Sequence, residues 1–119
     1  MAHSVVVIDD DEAFRRLASR LLAGLGLMVV AEAGTCGEAH VVLDELRPDA
    51  AQVDVGLPDG DGLVLARELA GRPWRPRVVL TSSDPDASST GAARAAGAIG
   101  FVPKAELTNG SLRAMLVRD

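Results

Sequence analysis

The chain has 119 residues, a formal net charge of −5, and a composition that is 48% hydrophobic, 24% charged and 3% aromatic. A chain of this size forms one domain that can bury a core, and the apolar fraction argues against disorder. The acidic charge and the few aromatic residues argue against direct nucleic-acid binding, and no apolar stretch approaches the roughly 18–20 residues of a membrane span.

Strand-like and helical segments alternate from the first residues onward. An apolar run over residues 5–8 predicts the first strand. Over residues 14–25 the apolar side chains recur every three or four positions, which predicts one buried helical face. Gly24 and Gly26 are typical of a helix end, and residues 27–33 predict a second strand.

The next helix begins at a capping-box spacing. Thr35 and Glu38 stand three residues apart, which lets each side chain satisfy a free backbone N–H group at the start of a helix. Arg47 and Pro48 end this helix, because proline cannot continue it. A third strand is predicted over residues 50–55.

The second half of the chain continues the alternation. Its predicted elements are a helix after residue 62, a strand over residues 77–81, a poor helix over residues 87–96, a strand over residues 99–102 and a helix over residues 107–117. The segment 87–96 has only alanine as apolar material and carries Gly91, so it is expected to be short or mobile. Five continuous apolar strands, each followed by a helix, predict a parallel sheet covered on both faces.

Four of the predicted strands end in a polar side chain of a different kind. Asp9, Asp10 and Asp11 follow the first strand, Asp54 lies in the third, Thr81 ends the fourth and Lys104 follows the fifth. The carboxyl ends of parallel strands meet at one edge of the sheet, where open α/β sheets bind their ligands. These side chains are therefore expected to converge.

This set of side chains is suited to phosphoryl transfer. Asp54 is the proposed nucleophile, since a carboxylate can form an aspartyl phosphate as a covalent intermediate. Mg²⁺ would reduce the repulsion between two anions, with Asp10 and Asp54 as direct ligands and Asp9 acting through water. Lys104 supplies a cation for the phosphoryl oxygens, and Thr81 supplies a hydroxyl donor.

Each residue also has a structural interpretation. Asp9 or Asp10 alone could cap the following helix. Thr81 alone could be a strand-end residue, and Lys104 alone a solvated loop lysine. A buried, unpaired carboxylate at Asp54 is harder to explain structurally, because its desolvation is costly. The joint placement of the four types of side chain favours the functional interpretation.

Taken together, these residues resemble the receiver domain of response regulators in bacterial two-component signalling. The resemblance covers essentially the whole chain, as one domain over residues 1–119, and it rests on the motifs at residues 7–11, 54–58, 61–62, 80–82 and 97–104. It implies a flavodoxin-like (βα)5 fold with a five-stranded parallel sheet of order 2-1-3-4-5 and helices on both faces.

The resemblance also implies a site and a reaction. A sensor histidine kinase would transfer its phosphoryl group to Asp54, with Mg²⁺ or Mn²⁺ held by Asp9, Asp10, Asp54 and the backbone carbonyl of Gly56. The protein would dephosphorylate itself but would not be a turnover enzyme. It would be cytoplasmic, in keeping with the lack of an export signal at the N-terminus.

In such a protein, phosphorylation controls a switch. The resemblance implies that Thr81 and Phe101 rearrange together and alter the face formed by the fourth helix, the fifth strand and the fifth helix. An output domain or a partner protein would then bind that face, and a homodimer is also compatible with it.

The segment after Lys104 differs from the wider family. Ala105, Glu106 and Leu107 stand where a proline is common, and this ending resembles receivers that precede LuxR-type helix-turn-helix output domains. It favours a receiver within a longer protein, with a DNA-binding output domain outside this chain. Two further departures concern the site: Gln52 places a polar group in the third strand, where it needs a partner, and Gly56 offers no acid or amide beside Asp54.

Three other functions would need features at specific positions of this sequence. An aspartate-nucleophile phosphatase would need a second carboxylate two residues after Asp54, where Gly56 stands. A flavin- or nucleotide-binding domain would need a Gly/Ser/Thr-rich loop after the first strand, where the acidic residues 9–12 would repel phosphate. A degenerate receiver that acts as a phosphorylation-independent docking or dimerisation module remains open, although the intact set of site residues argues against it.

Overall fold

The computed structural model describes residues 3–108 and 111–117, in which strands and helices alternate. The strands are β1 (Ser4–Ile8), β2 (Met28–Ala33), β3 (Ala50–Asp54), β4 (Arg77–Ser82) and β5 (Gly100–Pro103). The helices are α1 (Glu12–Gly24), α2 (Cys36–Leu46), α3 (Gly62–Ala70), α4 (Thr90–Ala95) and α5 (Ser111–Leu116). A short antiparallel hairpin pairs Gly56 with Asp61 and Leu57 with Gly60, and a 3₁₀ turn spans Lys104–Glu106.

The five strands form one parallel sheet in the order β2-β1-β3-β4-β5. This order confirms the predicted flavodoxin-like topology. The chain runs outward from β1 to one edge and then from β3 to the other, so the topological switch point lies between β1 and β3. Open α/β sheets bind ligands at such a point, beyond the carboxyl ends of the strands.

Helices cover both faces of the sheet, which explains why the strands are apolar without alternation. On one face, α1 and α5 bury Leu22 and Leu116 against β1 and β4. On the other face, α2, α3 and α4 bury Leu43, Leu65 and Ala93. All five residues of β3 are buried, as expected of a central strand.

Side-chain caps fix the starts of helices near the carboxyl edge of the sheet, among them α1, α2 and α3. Asp11 Oδ1 accepts a hydrogen bond from Phe14 N at 3.2 Å at the start of α1, and Thr35 Oγ1 accepts one from Glu38 N at 3.0 Å at the start of α2. Asp61 Oδ1 accepts one from Leu63 N at 2.8 Å at the start of α3. The cap of α1 is therefore Asp11, and neither Asp9 nor Asp10 has the capping role that was weighed for it.

Two predicted helices differ from the observed ones in length. The shortness of the fourth helix is confirmed, since α4 has six residues, Thr90–Ala95, and its N-cap is Ser89. The predicted start of the last helix was wrong: Leu107 and Thr108 form a turn, and α5 spans only Ser111–Leu116. Thr, Asn and Gly at positions 108–110 have low helix propensity, which explains the later start. Residues 109 and 110 lie outside the described part of the chain.

None of the helices within residues 3–108 and 111–117 combines the length and the apolarity that crossing a bilayer requires.

Gln52 is the one clear conflict with the apolar character of β3. It lies between Val7 of β1 and Val79 of β4, on the face that α1 and α5 cover, and its side chain is fully buried. Neither its amide nitrogen nor its amide oxygen has a hydrogen-bond partner among the described residues. A buried amide without partners reduces stability.

Replacing this amide by an apolar group of similar size should therefore stabilise the protein. We expect Gln52→Leu to raise the free energy of unfolding by about 1 kcal/mol, because no unpartnered polar group is then desolvated on folding. Urea unfolding followed by circular dichroism measures this difference. Gln52→Ala, which leaves a cavity, is the control and should destabilise the protein. A Leu variant less stable than the wild type would show that Gln52 has a favourable partner in solution.

Candidate functional site: an acidic cluster at the carboxyl edge of the sheet

Strand register brings the predicted site residues to one place. Ile8 of β1 pairs with Val53 of β3, so Asp9 and Asp54 follow side by side at the carboxyl ends of adjacent strands. Asp54 in turn pairs with Thr81 of β4. The site is thus built on the central strands of the sheet and not on loops alone, which gives its side chains rigid supports.

Three carboxylates form the centre of the site. Asp9, Asp10 and Asp54 each offer one carboxylate oxygen, and these oxygens lie within 4.8 Å of one another. Asp9 is 1% exposed and Asp54 is 7% exposed, whereas Asp10 is open to solvent. Carboxylate oxygens are the ligands that hard divalent cations prefer, so this donor set fits Mg²⁺ or Mn²⁺.

Lys104 is the cation that the structure places beside these carboxylates. Its Nζ atom lies 2.7 Å from Asp9 Oδ2 and 3.8 Å from Asp54 Oδ2. The same ammonium lies 4.2 Å from the centre of the Phe14 ring, which adds a cation–π contact from α1. The lysine therefore neutralises part of the cluster and remains within reach of Asp54.

Thr81 is buried and has an unused hydroxyl group. Its Oγ1 atom has no hydrogen-bond partner among residues 3–108 and 111–117, although the side chain is only 1% exposed. Its backbone is well fixed, because the carbonyl oxygen of Thr81 accepts a hydrogen bond from Val55 N at 2.9 Å. Buried hydroxyl groups are normally hydrogen-bonded, so this one is suited to a ligand oxygen.

The surroundings of Asp54 raise the pKa of its carboxyl group above the usual value. Burial is the main cause, and the negative charge of Asp9 adds to it, with a smaller effect of Asp10. The ammonium of Lys104 and the N–H of Gly56, which donates to Asp54 Oδ1 at 3.4 Å, act in the opposite direction. The ionised form of Asp54 is therefore held in an unfavourable environment that a bound cation would relieve.

Close packing behind β3 fixes the backbone of Asp54. A side-chain carbon at Gly62 would overlap the carbonyl oxygen of Asp54 and lie 2.8 Å from the Cα atom of Val55. Only glycine fits here, at the start of α3. The position of Asp54 is thus tied to that of α3 by direct backbone contact.

Two further predicted residues lie close to this group. Gly56 is in the hairpin directly after β3, and the role of its carbonyl oxygen as a ligand stays a prediction. Phe101 on β5 is 8% exposed and packs into the core cluster shared with α3 and α4. Phe101 thus occupies the inward, core position.

Some contacts of the site were missed by the sequence interpretation. Arg15 on α1 donates from its guanidinium to the carbonyl oxygen of Asp9 at 2.6 Å and forms an ion pair with Glu32 of β2 at 3.3 Å. Asp59 in the hairpin binds the start of α2. No local sequence pattern indicates these contacts, because each partner comes from a distant segment. Only the position of Arg15 one turn into a helix after the acidic residues is a weak signal.

Comparisons with known proteins identify the family of the chain. The family model described as the response regulator receiver domain matches residues 5–116. The chain belongs to the response regulator receiver family. It is 43% identical over 102 residues to the DNA-binding transcriptional activator DevR/DosR of Mycobacterium tuberculosis, a match that covers 84% of this chain and 46% of that protein. The chain thus spans about half the length of that relative.

Solved receiver structures have the same fold. A two-component response regulator of the LuxR family from Aurantimonas sp. SI85-9A1 superposes with a TM-score of 0.81 at 27% identity, covering 98% of this chain and 86% of that one. The signal receiver domain of NarL from Mycobacterium tuberculosis gives a TM-score of 0.80 at 29% identity, covering 98% of each chain. These likenesses support the resemblance to receivers of LuxR-type regulators.

The raised pKa of Asp54 has a consequence for stability. A carboxyl group whose pKa is higher in the folded state than in the unfolded state binds its proton more tightly when folded. Its ionisation therefore destabilises the fold as pH rises through the interval between the usual and the raised value, and this loss is complete above it. Replacing the carboxylate by a neutral amide removes this loss.

We therefore expect Asp54→Asn to raise the melting temperature of the metal-free protein at neutral pH by roughly 2–5 °C. The gain should disappear at a pH below the usual range of aspartate, and it should shrink when Mg²⁺ is added, since the cation stabilises only the wild type. Thermal melts in chelator and in Mg²⁺ measure both effects. Asp10→Asn is the control and should shift the melting temperature less, because Asp10 is exposed. A loss of stability in Asp54→Asn at neutral pH would contradict this account.

Proposed function

We propose that this chain is one receiver domain over residues 1–119 that accepts a phosphoryl group on Asp54 from a phosphohistidine of a sensor histidine kinase. The observation that carries the proposal is the arrangement around Asp54. Two further carboxylates, one ammonium and an unpartnered buried hydroxyl surround it at the carboxyl ends of four strands. Membership of the receiver family supports the same conclusion.

The chemical step is a transfer between two nucleophiles. An oxygen of the Asp54 carboxylate forms a bond to phosphorus while the N–P bond of the phosphohistidine breaks. The histidine ring leaves with the bonding electron pair and takes up a proton, and the product is an aspartyl phosphate. Water can later hydrolyse this acyl phosphate, so the chain resets itself without being a turnover enzyme.

The acidic cluster fits a divalent cation. Asp9, Asp10 and Asp54 would hold it together with the backbone carbonyl of Gly56, as hard oxygen ligands for Mg²⁺ or Mn²⁺. When bound, such a cation reduces the repulsion between the carboxylate and the incoming phosphoryl group. The raised pKa of Asp54 supports this assignment, because burial and the negative charge of Asp9 both disfavour the ionised carboxylate and a bound cation would offset both effects.

Lys104 and Thr81 are placed to stabilise the phosphoryl group. Lys104 Nζ is 3.8 Å from Asp54 Oδ2, so a small movement away from Asp9 brings it to a phosphoryl oxygen. The hydroxyl of Thr81 would donate to another of these oxygens and thereby gain the partner that it lacks. Thr81 lies in β4 in register with Asp54 of β3, and Lys104 follows β5, which is in register with β4.

A movement of Thr81 would couple the phosphorylation site to the surface formed by α4, β5 and α5. Thr81 pairs with Val102 of β5, and its neighbour Leu80 pairs with Phe101. A shift of β4 toward the phosphoryl group would alter the packing of Phe101 and of the six-residue helix α4. Phosphorylation would thus bias the face of α4, β5 and α5 between two arrangements.

We expect an output domain, a partner protein or a second copy of the chain to bind that face. DevR/DosR is described as a DNA-binding transcriptional activator and is about twice the length matched here. We infer that this receiver likewise controls transcription, through a domain outside this chain, and that it acts in the cytoplasm. The receiver itself, with its net charge of −5, is not proposed to bind DNA.

Incubation with Mg²⁺ and acetyl phosphate, followed by intact mass spectrometry, tests the proposal. The wild type should gain one phosphoryl group, and the gain should be absent in Asp54→Asn and in excess chelator. Lys104→Ala should slow the reaction by about 10–100-fold, because it removes a donor to the phosphoryl oxygens. Arg94→Ala on the exposed side of α4 is the control and should react at the wild-type rate. No gain in the wild type would instead favour a receiver that acts only as a docking module.

A further inference from the structure

The hairpin after β3 is docked on the first turn of α2. Asp59 Oδ1 accepts a hydrogen bond from the backbone N–H of Cys36 at 2.7 Å, and Asp59 Oδ2 accepts one from the N–H of Gly37 at 3.1 Å. One carboxylate thus binds two of the free N–H groups at the start of a helix that is more than 20 residues distant in sequence. These bonds lower the pKa of the Asp59 carboxyl group, as expected of a stabilised anion.

The hairpin and α2 are also in close steric contact. A side-chain carbon at Gly60 would lie 2.8 Å from the Sγ atom of Cys36. A side chain at position 60 would therefore force the sulfur of Cys36 or the hairpin to move. The polar contact of Asp59 and the steric fit of Gly60 act at the same point.

The other parts of the hairpin lead directly to the acidic cluster. Gly56 pairs with Asp61, and Leu57, which is buried in the core, pairs with Gly60. The N–H of Gly56 lies 3.4 Å from Asp54 Oδ1. The two-residue ladder thus connects the docked tip to the residue whose carbonyl is proposed to bind the cation.

We propose that Asp59 and Gly60 are positioning residues of the cation site, because their contact with α2 holds the hairpin that carries the carbonyl of Gly56. The inference rests on the proposed function, in which that carbonyl is a ligand of Mg²⁺ or Mn²⁺. Neither residue touches the cation in this account. Both act through the hairpin, and the start of α2 becomes part of the support of the site.

Two simpler explanations of the role of Asp59 must be distinguished from this proposal. Asp59 could merely stabilise α2 as a cap, or its negative charge could attract cations at a distance. Thr35→Ala controls for the first, since Thr35 Oγ1 caps the same helix through Glu38 N and has no hydrogen bond to the hairpin among the described residues. Variants at Gly60 control for the second, since they leave every carboxylate in place.

The first comparison measures Mn²⁺ affinity by the loss of the free-ion electron paramagnetic resonance signal, with thermal melts in parallel. Asp59→Ala and Thr35→Ala should each lower the melting temperature by a few degrees, because each removes a helix cap. Of these two variants, only Asp59→Ala should weaken Mn²⁺ binding, by about tenfold. Asp59→Asn retains one acceptor oxygen and should fall between Asp59→Ala and the wild type.

The second comparison uses the steric fit. Gly60→Ala should weaken Mn²⁺ binding several-fold, because the added carbon displaces the hairpin from Cys36. In Cys36→Ala/Gly60→Ala the colliding sulfur is absent, so the affinity should return to that of Cys36→Ala alone. At low Mg²⁺, the rates of phosphorylation by acetyl phosphate should rank the variants in the same order as their Mn²⁺ affinities. At saturating Mg²⁺ these rates should become equal.

The outcomes distinguish this proposal from the proposed function. Unchanged Mn²⁺ affinity in Asp59→Ala, an equal loss in Thr35→Ala, or a Gly60→Ala effect that removal of the sulfur does not reverse would each overturn the positioning role. If the wild type binds no Mn²⁺, that result contradicts the proposed function itself, whatever the variants show.

Discussion

The structure depends on the close approach of two buried carboxylates, those of Asp9 and Asp54, at the ends of adjacent parallel strands. Parallel pairing of β1 with β3 forces this approach, since Ile8 and Val53 are in register. Two anions removed from water repel each other and lose solvation, which raises the pKa of Asp54. The ammonium of Lys104 at 2.7 Å from Asp9 offsets only part of that cost. The fold therefore maintains a buried negative charge that a bound cation would offset.

The rest of the molecule holds these groups in place. Asp11 caps α1 and donates its own N–H to Asp9 Oδ1 at 2.9 Å, which helps to fix the Asp9 carboxylate. The guanidinium of Arg15 binds the carbonyl of Asp9, and Gly62 lets the backbone of α3 approach that of Asp54. The hairpin after β3 is fixed to α2 by Asp59. Each of the helices α1, α2 and α3 thus contributes a contact at its first turns, where the carboxyl edge of the sheet lies.

The parts of the fold that could be predicted from sequence follow from strong local patterns. The five apolar runs and the helical spacing between them gave the alternation of strands and helices. The polar residues at strand ends, together with the family resemblance, gave the expected cluster of Asp9, Asp54, Thr81 and Lys104. The start of α5 was placed too early, because the apolar side chain of Leu107 was assigned to the helix although it packs into the core from a turn. Arg15 and Asp59 were missed, since their contacts join segments that only the folded chain brings together.

The central claim is that Asp54 accepts a phosphoryl group that Lys104 and Thr81 then bind. A crystal structure of the protein with Mg²⁺ and beryllofluoride, a stable mimic of the phosphoryl group, tests it most directly. The account predicts beryllium bonded to an Asp54 oxygen, with Lys104 Nζ and Thr81 Oγ1 each about 3 Å from a fluoride. Beryllofluoride attached to another side chain, or bound at Asp54 while Lys104 stays on Asp9 and Thr81 makes no contact, would contradict it.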